Sequence, residues 1–240
     1  MPKSKFELIY KDLKQKIESQ EYQYQDLLPS ENTMVDIYNC SRNTVRRAIG
    51  ILAEHGYVQS LHGKGVQVIY QPVKQTAFLI GGIESFKETA RRNRLNSRTE
   101  VILFSEITAD RRLSQKTGFT SGSELYFIQR VRYLDGKALI FDINIFLKSA
   151  VPGLSKEIAA ESIYDYIENR LGMQIVTSKR QMTVERATPI DEKYLELGDY
   201  NSLAVVTGQT YNADGIMFEY TQSRHHPDFF CFQDIAIRKH

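Results

Sequence analysis

The chain has 240 residues, 42% of them apolar, and a net charge of only +2. That length gives room for two domains, and so small a charge excludes a polybasic nucleic-acid coat, so any DNA-binding surface must be local. Cys40 and Cys231 are too few and too far apart for a disulfide framework, the five histidines lack metal-ligand spacing, and no apolar run approaches membrane-spanning length. The opening stretch Met1 to Leu13 is charged and amphipathic, unlike a signal peptide. These features predict a reduced, cytoplasmic protein with no metal, no cofactor and no membrane partner.

In chain order, Phe6, Ile9, Leu13 and Ile17 predict a first helix with a single apolar stripe. Ser30 and Ser41 each stand just before an apolar-periodic stretch, where a hydroxyl can accept an orphan backbone N–H and start a helix. In the second of these helices Val45, Ala48, Ile49 and Leu52 recur at helical spacing. That leaves Arg42, Asn43, Arg46 and Arg47 on its outward first turns. After Gly56 the pattern becomes β-prone, Tyr57 to Leu61 and Val66 to Tyr70, joined by His62-Gly63-Lys64-Gly65. A basic helix taken alone is more often a solvated helix. Two capped helices followed at once by a basic hairpin, with Arg42, Arg46, Arg47 and Lys64 set against Glu54 alone, predict a winged helix-turn-helix over residues 1–70.

Residues 71–77, with Pro72, read as a linker, and residues 78–240 as an α+β domain built on a mainly antiparallel sheet. Its expected strands run from Val101 to Ile107, Leu125 to Leu134, Ala138 to Phe146, Ser202 to Tyr211 and Phe218 to His226. Its expected helices run from Phe86 to Arg94, Ala109 to Lys116, Ile163 to Leu171 and Asp191 to Leu197. Asp135-Gly136 and Asp214-Gly215 mark hairpins.

Three places in this domain suit an anion. Ser85 opens a helix after Gly81-Gly82-Ile83-Glu84, Ser162 with Asp165 forms a capping box that opens a helix closed by Gly172, and Arg130 and Arg132 share one strand face. Each also has a purely structural reading, as a helix cap or a solvated face. On a late strand Glu219, Thr221, Ser223 and His225 share a face by period two, which makes a polar stripe.

Taken together, Leu28-Pro29-Ser30-Glu31, Ser41-Arg42-Asn43-Thr44-Val45-Arg46-Arg47-Ala48, Leu52-Ala53-Glu54-His55-Gly56 and Gly63-Lys64-Gly65 resemble the gluconate-repressor (GntR) family of bacterial transcription regulators. The resemblance implies that Arg42 reads a guanine edge, that Ser41, Thr44 and Arg46 meet phosphates, and that His62 and Gly63 enter the minor groove. Ser30, Asn43 and Lys64 complete the candidate DNA-binding set. One position departs from the family: Asn32 stands where an arginine is usual, and since a bidentate asparagine prefers adenine, the expectations are an operator richer in A·T there or an Asn32 that touches only backbone.

Beyond residue 78 the chain resembles the effector-binding (UTRA) domain of the histidine-utilisation-repressor branch, whose fold is like chorismate lyase. The resemblance implies a phosphate pocket made by Ser85 and Phe86, Arg130 and Arg132, and Ser162 and Tyr164. The rest of the ligand would lie toward Asp142, Glu219, Arg224 and His225. Within that branch, Phe6 to Leu13, Gly82 to Glu88, Glu161 to Glu168 and Tyr220 to His225 are similar to the repressors of trehalose operons. That similarity implies trehalose 6-phosphate as inducer, and the helix-turn-helix reading predicts a homodimer on a palindromic operator. Another sugar phosphate is the alternative ligand. A lyase-like enzyme recruiting Asp142, Glu219 or His225 is a further alternative, although the chain carries no nucleophile motif and no cofactor fingerprint.

Overall fold

The computed structural model describes residues 4–71, 78–79 and 83–233. The chain divides into two compact units, one running to Lys74 and one spanning Gln75–Phe232. Most of the expected linker, Gly81-Gly82 and the last seven residues lie outside the described residues.

In the first unit, helix α1 (Lys5–Glu18) buries Ile9, Leu13 and Ile17 against α3 (Arg42–Glu54), which buries Val45, Ala48, Ile49 and Leu52. Full burial of each of these Val, Leu and Ile side chains stabilises by about 1.5–3 kcal/mol. Helix α2 (Glu31–Tyr38) contributes Met34 to this core and ends at Asn39, whose left-handed backbone (φ 45°) turns the chain toward α3. Strands β1 (Val58–Leu61) and β2 (Gly65–Val68) pair antiparallel and form the wing. Gly63 (φ 71°) and Gly65 (φ 114°) take positive φ at its tip, where a side chain would be strained.

The second unit is built on six antiparallel strands: β3 (Ser97–Thr108), β4 (Glu124–Leu134), β5 (Lys137–Leu147), β6 (Ile175–Arg186), β7 (Ser202–Asn212) and β8 (Met217–His225). They lie in the order β3-β4-β5-β8-β7-β6. Asp135 and Gly136 join β4 to β5 with φ of 46° and 82°, the two positive values that a tight hairpin needs. The turn before β8 is held by Asn212, whose side-chain oxygen accepts the amides of Asp214 and Ile216.

Helix α4 (Phe86–Arg92) precedes β3, helix α5 (Arg111–Thr117) lies between β3 and β4, and the two sheet faces are covered by different elements. Val131 and Phe141, with Leu203 and Val205, pack with Leu195 and Leu197, at and beyond the end of α8 (Pro189–Tyr194). On the other face, Tyr126, Ile128 and Phe146 pack under α6 (Lys156–Ala160), α7 (Ile163–Asp165) and the π-type turn Tyr166–Arg170 that continues it. Along β4 that second face changes character: Tyr126 and Ile128 are followed by Arg130 and Arg132. The apolar end anchors the helices, and the polar end lies open to a cavity.

Strand β6, helix α6 and the helix after Ser162 depart from the sequence reading. Strand β6 is absent from the expected strands; it is an edge strand that pairs with β7, and its side chains lack the clean apolar alternation of a half-buried strand. The helix expected from Ile163 to Leu171 is α-helical for one turn only and then widens into the π-type turn. Asp165 does not close a capping box: its carboxylate takes the Asn169 amide at 2.9 Å, while Ser162 Oγ accepts the Asp165 amide at 3.3 Å.

Candidate DNA interface and ligand cavity

Both caps of the reading helices are formed. Ser30 Oγ accepts the Thr33 amide and Ser41 Oγ accepts the Thr44 amide, each at 3.2 Å. Arg42 and Asn43 are exposed on the first turn of α3, where the helix dipole adds to the guanidinium charge. Asn32 is exposed on the first turn of α2, and His62, Gly63 and Lys64 are exposed on the wing tip. Two arginines are more engaged than their spacing suggests. Arg46 Nε donates to both Glu31 oxygens at 2.9 and 3.0 Å, and Arg47 stacks over Phe6 at 3.8 Å from the ring centre. The Arg46–Glu31 pair is exposed, so it adds little stability and leaves the guanidinium open to exchange for a phosphate.

In the second unit one cavity, with about 200 Å³ of internal space, collects nine of the ten residues expected to meet an effector. Ser85 and Phe86 come from the start of α4 (Phe86–Arg92), Arg130 and Arg132 from β4, Asp142 from β5, Ser162 and Tyr164 from the start of α7, and Glu219 and His225 from β8. Strand register brings them together, because Arg130 pairs with Asp142 across β4 and β5, and Asp142 pairs with Ser223 across β5 and β8.

Arg224 is the exception. Side chains alternate along a strand, so Arg224 lies on the face opposite His225 and Ser223. There its Nε donates to buried Asp191 at 2.8 Å and its Nη1 to Glu185 at 2.6 Å. Asp191 also accepts the amide and hydroxyl of Thr188. Arg224 is therefore a clamp that fastens α8 to the sheet and takes no part in the cavity.

The cavity is a buried polar network. Asp142 accepts from Arg132 Nε at 2.8 Å, and Arg132 Nη1 donates to Thr99 at 2.7 Å. The Arg132 guanidinium also lies 4.9 Å from the Phe86 ring centre, a cation–π distance. Arg130 Nε and Nη2 donate to Asn144 Oδ1, and its Nη1 to the Ala159 carbonyl. Burial and the charge of Arg132 push Arg130 down to about 9, which still leaves it cationic at neutral pH. Burial opposes ionisation of Asp142, but Arg132, Arg130 and the Ser223 hydroxyl outweigh it and hold the acid below its ordinary value. Glu219 goes the other way: burial raises it against the pull of Tyr164, Thr210 and Arg130. Burial also lowers His225 to about 4, so its imidazole is neutral at pH 7. Such a site offers fixed cations at one end and hydroxyl-binding carboxylates beside them.

Sequence reasoning missed Asn144, Ser178, Arg180 and Thr210, which also line the cavity. Asn144 stands two residues after Asp142 on the same strand, so period two alone would have found it. Ser178 and Arg180 lie on the unpredicted β6.

The model of bacterial regulatory proteins of the gntR family matches residues 6–68, and the UTRA domain model matches residues 92–230. The chain belongs to the gntR family of bacterial regulatory proteins and carries a UTRA domain. It is 35% identical over 238 residues, 99% of each chain, to the HTH-type transcriptional regulator TreR of Bacillus subtilis. It is 27% identical, over 89% of this chain and 88% of the other, to the mannosyl-D-glycerate transport/metabolism system repressor MngR of Escherichia coli. The crystal structure of the possible regulator YydK from B. subtilis superposes with a TM-score of 0.81 at 22% identity, covering 98% of this chain and 100% of that one. The effector-binding domain of the B. subtilis trehalose repressor TreR superposes with a TM-score of 0.54 at 32% identity, covering 60% and 99%. This gntR-family protein is thus a transcriptional repressor and not an enzyme, with an operator-binding head and a small-molecule effector domain. Among the described residues no helix is long and apolar enough to cross a membrane.

Proposed function

We propose that this gntR-family protein represses a trehalose-utilisation operon in the cytoplasm and is released from its operator by trehalose 6-phosphate. The observation that carries the ligand class is the buried Arg130–Arg132 pair in a cavity that also presents Asp142 and Glu219. Two buried guanidiniums face the Asp142 carboxylate, which is hydrogen-bonded to Arg132, and a phosphate monoester supplies further negative charge in a geometry that arginine forks match. Carboxylates and the hydroxyls of Thr221 and Ser223 suit the sugar. Full-length similarity to TreR supports trehalose as that sugar.

Acting as a homodimer, the repressor sets two α3 helices about one DNA turn apart on a palindromic operator. The sugar phosphate binds an arrangement of the effector domains that no longer fits that spacing, and linkage requires the operator to weaken inducer binding by the same factor. Calorimetric titration of the full chain with trehalose 6-phosphate, trehalose, glucose 6-phosphate and cellobiose 6-phosphate tests the ligand. Tightest binding of trehalose 6-phosphate is expected; preference for an unphosphorylated sugar would overturn the reading.

A further inference from the structure

Arg130 and Arg132 share one strand face, yet they do not share the buried carboxylate beside them equally. Asp142 Oδ2 accepts from Arg132 Nε at 2.8 Å and lies 4.0 Å from Arg130, beyond hydrogen-bonding reach. Arg130 instead directs Nε and Nη2 at one neutral oxygen, Asn144 Oδ1, at 3.1 and 2.8 Å. Its Nη1 donates to another neutral oxygen, the Ala159 carbonyl, at 3.1 Å. Three of its five N–H groups are thereby hydrogen-bonded to neutral oxygens, with the Asp142 carboxylate at ion-pair distance, 4.0 Å, and outside hydrogen-bond contact.

Asn144 is itself buried, and its orientation is fixed from the other side, where its Nδ2 donates to Thr221 Oγ1 at 2.8 Å. A flipped amide would set donor against donor at Arg130. An arginine fork of this shape commonly receives a carboxylate, and here an amide stands in that place.

We propose that Asn144 is a positioning and specificity residue of the cavity, which aims the Arg130 fork without cancelling its charge and so reserves that charge for an anionic group of the ligand. The inference rests on the sugar-phosphate reading above. Asparagine and aspartate are nearly the same size, so Asn144→Asp keeps the oxygen that Arg130 uses and adds a negative charge beside it. The Thr221 hydroxyl can rotate to donate to the new carboxylate. The resident carboxylate then competes with the ligand phosphate for the same guanidinium.

The test uses the full chain in two measurements: melting with and without inorganic phosphate, and calorimetric titration with trehalose 6-phosphate. Wild type is expected to melt higher as phosphate is added. Asn144→Asp is expected to melt higher than wild type without phosphate, to gain nothing from phosphate, and to bind trehalose 6-phosphate at least about tenfold more weakly. Asn144→Ser, which keeps a neutral acceptor, is expected to retain the phosphate response. A merely structural role predicts the opposite baseline, so an Asn144→Asp protein that melts lower, or that responds to phosphate as wild type does, overturns the proposal. If wild type ignores phosphate and the sugar phosphate while Asn144→Asp still melts higher, the sugar-phosphate reading fails and the charge-holding role of Asn144 survives.

Discussion

The Tyr164 hydroxyl donates to Glu219 Oε2 at 2.6 Å and so ties the start of helix α7 to strand β8. Glu219 is 3% exposed, and a buried carboxyl that loses a donor bears the desolvation cost of the orphaned oxygen. Tyr164→Phe should therefore destabilise the effector unit by about 1–3 kcal/mol, read as a lower denaturant midpoint. An unchanged midpoint would show that the bond is not formed.

His225 sets a pH dependence. Burial lowers it to about 4 in the folded chain, against 6.5 in the ordinary state, with Asp142 opposing only in part. Between those values the unfolded chain binds more protons, so the contribution of His225 is full above pH 6.5 and is lost as pH falls toward 4. Glu219, raised by burial, slopes the opposite way, losing stability as pH rises above its ordinary 4.5. Replacing His225 by Gln should flatten the acid-side loss by up to roughly 3 kcal/mol. Equal slopes in wild type and variant between pH 6.5 and 4 would contradict the buried neutral imidazole.

Arg224 and Asp191 are a buried pair on the face away from the cavity, 5% and 0% exposed as side chains. Removing one partner of such a pair strands the other, so Arg224→Met should cost about 3–5 kcal/mol of stability. Ligand affinity measured on the folded fraction should not change. A stable variant with lost affinity would return Arg224 to the ligand site.

Arg42 stands exposed at the start of α3. Substituting Ala should cost about 1–3 kcal/mol of discrimination at one base pair, measured by titrating single-base variants of the operator. A uniform loss across all sequences would instead mark Arg42 as a phosphate contact.

Much of this was legible in the sequence where periodicity and caps agree. Ser30 and Ser41 announce their helices because each hydroxyl satisfies an orphan amide, and Asp135-Gly136 announces its hairpin because both residues tolerate positive φ. Strand β6 was not legible, since an edge strand with Val184 78% exposed and Lys179 and Arg180 in its middle reads as a polar loop. Helix α6, five residues long, is too short to show a period. The misplacement of Arg224 was avoidable: parity along the strand already set it opposite His225 and Ser223.

Under the proposed function, an anion held by Arg130 loosens the grip of the reading heads on DNA. The most direct measurement is release of an operator duplex from the full chain as trehalose 6-phosphate is added, comparing wild type with Arg130→Ala at fixed salt. Wild type should release the duplex, and Arg130→Ala should bind it as tightly yet stay bound at concentrations that empty the wild type. Release of both proteins at the same concentration would contradict the account.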